Sequence, residues 1–288
     1  MDIKRVVEDT AVEVLRKASM ELPSDVLEAL KKAYEEETSE LGKSQLGAIL
    51  ENIKLAREMN RPLCQDTGLI IFYATIGNGF GDFTFLPDAL TKATRRATRD
   101  IPLRPNAVHP LTRRNSGDNT GTGVPIINYE ITAGDYLELT ALPKGAGSEN
   151  MSALAMLPPS AGVRGVKRFV VDAVIAAGGK PCPPTVIGVG IGGKADSALR
   201  LAKRALLRPL DKRHPEKEIA QLEEELLRMV NSTGVGPMGL GGRCTALGLN
   251  IEYAYSHAAG LPVGINFQCW ANRKAKARIH KDGRVEYM

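Results

Sequence analysis

Between about residues 164 and 255 the chain alternates helix-like and strand-like segments, and this constrains the fold more than any other feature. Arg164 to Ala177 carries apolar residues at helical spacing, and Thr185 to Ile191 is a compact apolar run of strand length. A second helix is expected from about Ala195 to Leu207 and a strongly charged one from about Glu216 to Val230. Cys244 to Tyr255 and Pro262 to Trp270 then read as strands. Elsewhere the pattern is that of hairpins. Pro125 to Thr132 and Tyr136 to Leu142 are joined by Ala133-Gly134-Asp135, and Lys276 to Tyr287 folds back around Asp282-Gly283. Alternation in the middle and hairpins on either side predict mixed sheets in an α/β fold, not a single all-parallel sheet.

Residues 1–60 read as a helical segment within that fold. Ile3, Val6, Val7, Val14 and Leu15 share a helical face, Ser24 or Asp25 caps a second helix to about Glu37, and a third runs from about Ser39 to Met59. Leu69 to Ile76 is the first strand, and Pro87 opens a helix to about Asp100. At 288 residues the chain accommodates one large domain or two small ones. We read 1–288 as a single catalytic domain with room for two lobes.

Twenty-nine glycines against 5% aromatic residues suggest loops lined by backbone, not stacking platforms. The net charge is 38 − 33 = +5, mild for this length and suited to small anions or an acidic partner. The one basic concentration, Arg273, Lys274, Lys276, Arg278, Lys281 and Arg284, reads as a solvated hairpin face. Nucleic acid is therefore not an expected partner. No stretch reaches the ~18 apolar residues of a membrane span, and the charged N-terminus lacks a secretory core, so a cytoplasmic protein is expected.

Cys64, Cys182, Cys244 and Cys269 are far apart and show no CxxC spacing. They are inert thiols, a nucleophile, or ligands brought together by folding. Three lie at element ends or in loops: Arg61-Pro-Leu-Cys64-Gln65-Asp66-Thr67-Gly68, Gly178-Gly-Lys-Pro-Cys182-Pro-Pro and Asn266-Phe-Gln-Cys269-Trp270. Prolines stiffen the backbone around Cys182. Cys244 opens an apolar strand and reads as a small buried hydrophobe. The loop Arg113 to Gly123 is rich in donors, and Lys144-Gly-Ala-Gly147-Ser-Glu-Asn150 can present amides to a carboxylate. Gly188-Val-Gly190-Ile-Gly192-Gly193-Lys194 imitates two phosphate-binding patterns. Ala195 lacks the hydroxyl that the P-loop needs, and Asp211 precedes no clear strand, so a tight strand-to-helix turn is the simpler reading. His257 follows a strand in Ser256-His257-Ala-Ala-Gly.

Taken together, Cys64-Gln-Asp-Thr-Gly, Lys144-Gly-Ala-Gly-Ser-Glu-Asn, Gly178-Gly-Lys-Pro-Cys182-Pro-Pro, Gly188-Val-Gly-Ile-Gly-Gly and Asn266-Phe-Gln-Cys269-Trp resemble the class I fumarate hydratases and the related L-tartrate dehydratases. The resemblance spans about Arg61 to Trp270 and covers the N-terminal half of the long single-chain members. It implies the α subunit of the two-subunit form, with a β subunit as partner in an α2β2 complex. It implies a [4Fe–4S] cluster on Cys64, Cys182 and Cys269, and contacts to a small dicarboxylate from Gln65, Asp66, Arg104, the Gly147 backbone and His257, with Asp66 and His257 in catalytic roles. It implies hydration of fumarate to L-malate, a reaction of the tricarboxylic acid cycle, with dehydration of L-tartrate to oxaloacetate as the near alternative.

The physical account agrees with the resemblance. Three cysteines leave one iron of four open as a Lewis acid for the leaving hydroxyl. The matched residues supply one arginine clamp and no clear base, so the base is expected on the β subunit and the α chain alone is expected to be inactive. Two readings from other classes compete: a nucleotide-binding enzyme using Gly188 to Lys194, and a scaffold or nucleic-acid binder using the basic C-terminus.

Overall fold

The computed structural model describes residues 2–288. In chain order the elements are α1 (Ile3–Met20), α2 (Ser24–Glu36), α3 (Glu40–Glu58), β1 (Leu69–Gly77), α4 (Leu86–Asp100), β2 (Ile126–Thr132), β3 (Tyr136–Lys144), α5 (Ala146–Glu149), β4 (Ala153–Leu157), α6 (Gly162–Ala177), β5 (Thr185–Gly192), α7 (Ala195–Ala205), α8 (Lys217–Asn231), β6 (Ala246–Ala254), β7 (Leu261–Gln268), β8 (Ala275–His280) and β9 (Val285–Tyr287). This is the expected α/β fold, with a helical start and mixed sheets flanked by helices. The chain divides into two compact units, one of residues 2–23, 52–146 and 273–288, the other of residues 24–51 and 147–272. The helical start is shared between them: α1 belongs to the first, α2 to the second, and α3 is divided after Glu51. Among the described residues no helix is long and apolar enough to cross a membrane.

The first unit is built on a five-stranded sheet of order β2-β1-β3-β8-β9. Ile70, Phe72, Ala74 and Ile76 alternate along β1 into a core shared with Val7, Val14 and Leu15 of α1 and Leu86, Leu90 and Ala97 of α4. The hairpin expected between β2 and β3 does not form. β1 lies between them, parallel to β2 with Ile71 opposite Ile126, and antiparallel to β3 with Ile71 opposite Leu142. Burial explains the correction: β1 is the most apolar of the three strands and takes the centre, while β2 is largely exposed. The link Ala133-Gly134-Asp135 then passes over the end of β1. A Cβ at Gly77 would lie 2.5 Å from the Gly134 carbonyl, so the crossing needs a glycine there. The hairpin of β8 and β9 forms as expected.

The second unit carries a four-stranded sheet of order β4-β7-β5-β6. β5 and β6 run parallel, and β7 is antiparallel to β5. Ile187 and Val189 of β5 join Val166 and Val170 of α6 and Leu226 and Val230 of α8 in one core. The alternate residues Gly188 and Gly190 meet α7. A Cβ on Gly188 would fall 1.9 Å from Ala202 O, and one on Gly190 would fall 2.0 Å from Ala198 O. The glycines that imitate a phosphate loop thus let a helix press onto a sheet. Strand β4 escapes the sequence reading. Its Ala-Leu-Ala-Met-Leu lacks β-branched residues, and it pairs only with β7 at the sheet edge.

Candidate active-site loops

In the first unit, the segment from Arg61 to Gly68 joins α3 to β1. Leu63 fixes it just before Cys64: its N–H donates to Ser19 O at 3.0 Å, and its carbonyl accepts from Asn52 Nδ2 at 2.9 Å. Cys64 and Asp66 are half-buried, and Gln65 is exposed. Asp66 Oδ1 accepts the Gly68 N–H at 2.9 Å and Asn106 Nδ2 at 3.3 Å, and Oδ2 accepts the Ala146 N–H at 2.8 Å. The carboxylate is thus clasped by donors from three places in the chain. Thr67 Oγ1 accepts the Arg104 N–H at 3.0 Å, which brings the Arg104 loop beside Asp66 and leaves the Arg104 side chain exposed. Asn119, fully buried, completes the arrangement. Its Oδ1 accepts the Asn106 N–H at 2.6 Å, and its Nδ2 donates to Thr98 Oγ1 and Arg104 O, each at 3.1 Å. Asn119 lies in the donor-rich loop Arg113 to Gly123. Most of it is exposed, but Asn119 itself points inward as a brace.

In the second unit, Cys182 has a left-handed backbone, φ +55°, a strained conformation of the kind found at functional sites and costing of order 1–3 kcal/mol. Its N–H donates to Gly179 O at 3.0 Å, and its carbonyl accepts the Trp270 N–H at 3.1 Å. That last bond joins the Cys182 loop to the residue after Cys269. Gly147 is exposed near the start of α5, and a Cβ there would sit 3.1 Å from Lys180 O, so its loop also packs against that of Cys182. His257 is exposed beyond β6. Its Nδ1 accepts the Ala259 N–H at 3.1 Å, so the neutral ring carries its proton on Nε2.

Cys244 precedes β6 in the second unit. Burial, together with the negative charges of Glu37 and Glu36, pushes its thiol up to about 12. It stays protonated at neutral pH, and the thiolate is the form that ligates iron. No cysteine forms a disulfide. Gln268 and Asn272 flank Cys269, both fully buried, and neither amide nitrogen nor amide oxygen has a hydrogen-bond partner. Leaving such groups unpaired costs ~1–3 kcal/mol each. Their N–H donors suit a bound group rich in acceptors, and iron–sulfur sites use such donors to sulfur in their outer shell. The residues around Cys269 therefore fit such a cluster. Among the described residues no three His, Cys, Asp or Glu side chains gather as ligands of a single metal ion. A cluster, whose ligands sit on separate corners, needs no such gathering.

A family model described as fumarate hydratase (Fumerase) matches residues 8–278. A putative L(+)-tartrate dehydratase subunit alpha from Methanocaldococcus jannaschii is 51% identical over 283 residues, 97% of this chain and 99% of that protein. The L(+)-tartrate dehydratase subunit alpha of Escherichia coli K12 is 36% identical over 265 residues, 92% of this chain and 88% of that protein. The chain belongs to the fumarate hydratase (Fumerase) family. It is a hydro-lyase subunit.

Proposed function

We propose that this chain is the α subunit of an iron–sulfur hydro-lyase acting on a 2-hydroxy dicarboxylate. The observation that carries the reading is the setting of Cys269: unpartnered buried amides on both sides, and a backbone bond from Trp270 to the strained Cys182. Cys64, Cys182 and Cys269 hold a [4Fe–4S] cluster, and Cys244 does not. When bound, the cluster supplies an iron without a protein ligand, a Lewis acid for the departing hydroxyl.

The chain's own residues bind and orient the substrate. Arg104 meets one carboxylate with its planar fork. Gln65, the Gly147 amide and His257 Nε2–H supply further donors. Asp66, already clasped by the N–H groups of Gly68 and Ala146, holds the proton at the leaving hydroxyl. The C3 proton goes to a base on the β subunit, hydroxide leaves C2 as water, and the C2–C3 double bond forms. The β subunit closes over the site and also brings the second carboxylate clamp, in an α2β2 assembly.

Names of relatives that match nearly the whole chain favour L-tartrate, whose enol product becomes oxaloacetate. Fumarate and L-malate form the second reading, favoured by the family's description. The test is an assay of the anaerobically prepared αβ complex with L-tartrate, fumarate and L-malate. The expected outcome is a higher kcat/KM for L-tartrate and no turnover by the α chain alone. Turnover of none of the three would overturn the reading.

A further inference from the structure

Arg273 departs from the solvated hairpin face expected for the basic C-terminal run. It is 1% exposed. Its Nη2 donates to the Asp66 carbonyl at 2.8 Å, two residues beyond Cys64. Nε and Nη1, which carry three of the five guanidinium N–H groups, have no partner. Among the described residues no carboxylate forms an ion pair with it. A guanidinium cannot shed its proton, so burial without a counter-ion costs several kcal/mol. An anion bound inside the protein would supply the missing partner. A substrate has to enter and leave, and the side chains assigned to it, Gln65, Arg104 and His257, are exposed. Arg273 is sealed, so its anion is a resident one.

We propose that Arg273 is the buried counter-cation of the iron–sulfur cluster, with its Nε and Nη1 N–H groups donating to sulfur. The inference rests on the reading of Cys64, Cys182 and Cys269 given above. A four-iron cluster on three thiolates is net negative. A fixed cation with N–H donors favours its electron-rich state and raises its reduction potential. Arg273 is thereby a positioning residue: it tunes the cluster and holds the Cys64–Asp66 backbone.

The test compares Arg273→Met and Arg273→Lys with the wild-type αβ complex after anaerobic reconstitution. Reduction potential is read by EPR-monitored titration, and iron loss by the rate of capture by a chelator. Arg273→Met should shift the potential to more negative values and release iron several-fold faster. Arg273→Lys keeps the charge but not the fork, and should shift the potential the same way by less. Wild-type potential and wild-type iron loss in Arg273→Met overturn the inference. If Arg273→Met yields no folded complex, an unchanged potential in Arg273→Lys overturns it. A wild-type complex that takes up no iron and sulfide would overturn the proposed function, and this inference with it, before either variant is compared.

Discussion

Two arginines, one in each unit, sit in opposite electrostatic circumstances: Arg273 is 1% exposed, and Arg208 is half-buried. Arg208 bonds to both carboxylate oxygens of the fully buried Glu223, to Glu252, and to the carbonyls of Ile251 and Lys212. Glu223 in turn accepts the N–H groups of Ile251 at 2.8 Å and His214 at 3.1 Å. This network ties α8 to β6, and it is closed. Arg273 has a single carbonyl and nothing else. The fold satisfies the Arg208 guanidinium from its own atoms. Where it leaves Arg273 open, a ligand is the simplest completion.

The harshest way to break this contrast is to remove the thiols beside the open groups. Serine at Cys64, Cys182 or Cys269 should abolish the cluster and all turnover, while Cys244→Ser keeps both, as read by iron and sulfide per chain after anaerobic reconstitution. Loss of iron in Cys244→Ser would refute the ligand assignment. Next in size is the closed network. Glu223→Ala strands Arg208 and should cost about 3–5 kcal/mol in a denaturant titration, whereas Arg273→Met in the cluster-free chain should cost less than about 1 kcal/mol. Equal losses would mean that Arg273 is as structural as Arg208.

Asp66→Asn should keep the cluster and lower kcat on the order of 10²-fold, the usual scale for losing a proton-handling group. Unchanged turnover would reduce Asp66 to a brace for the Gly68 and Ala146 amides. The smallest effect concerns Glu37, another closed site. Burial raises its pKa, but the N–H groups of Ser39, Arg243, Cys244 and Thr38 outweigh that and hold it below the ordinary 4.5. A depressed carboxylate adds stability that is present above pH 4.5 and lost as pH falls through the folded value. Glu37→Gln should therefore flatten the acid side of the stability profile. An unaltered slope below pH 4.5 would show that the N–H clasp contributes nothing.

Most elements were legible because each carries its own periodicity, as in the β1 run and the amphipathic α6 and α7. The order of strands was not, since β2 and β3 are neighbours in sequence while burial decides which strand lies between them. Cys64, Cys182 and Cys269 stood out through their loop contexts. The groups that fix Asp66 did not, because they come from Asn106 and Ala146, 40 and 80 residues away. Arg273 was concealed by company: Lys276 and Arg278 of the same run do lie against Glu138 at the sheet surface, and sequence cannot tell which member of a charged run turns inward. Glu37 looked like an ordinary helix end, yet its carboxylate receives amides from 206 residues further along.

The central place of β1 also bears on how the chain reaches this state. β2 and β3 are linked by three residues, so closing them on one another is the quick local event. The native pairing of Ile126 with Ile71 requires closing a loop of more than fifty residues, entropically dearer by roughly 2–3 kcal/mol. A β2–β3 hairpin, were it to form first, would have to open to admit β1. Gly134 has φ +130°, and a Cβ there would lie 2.6 Å from Tyr136 Cε1, so any other residue at this link should destabilise the first unit.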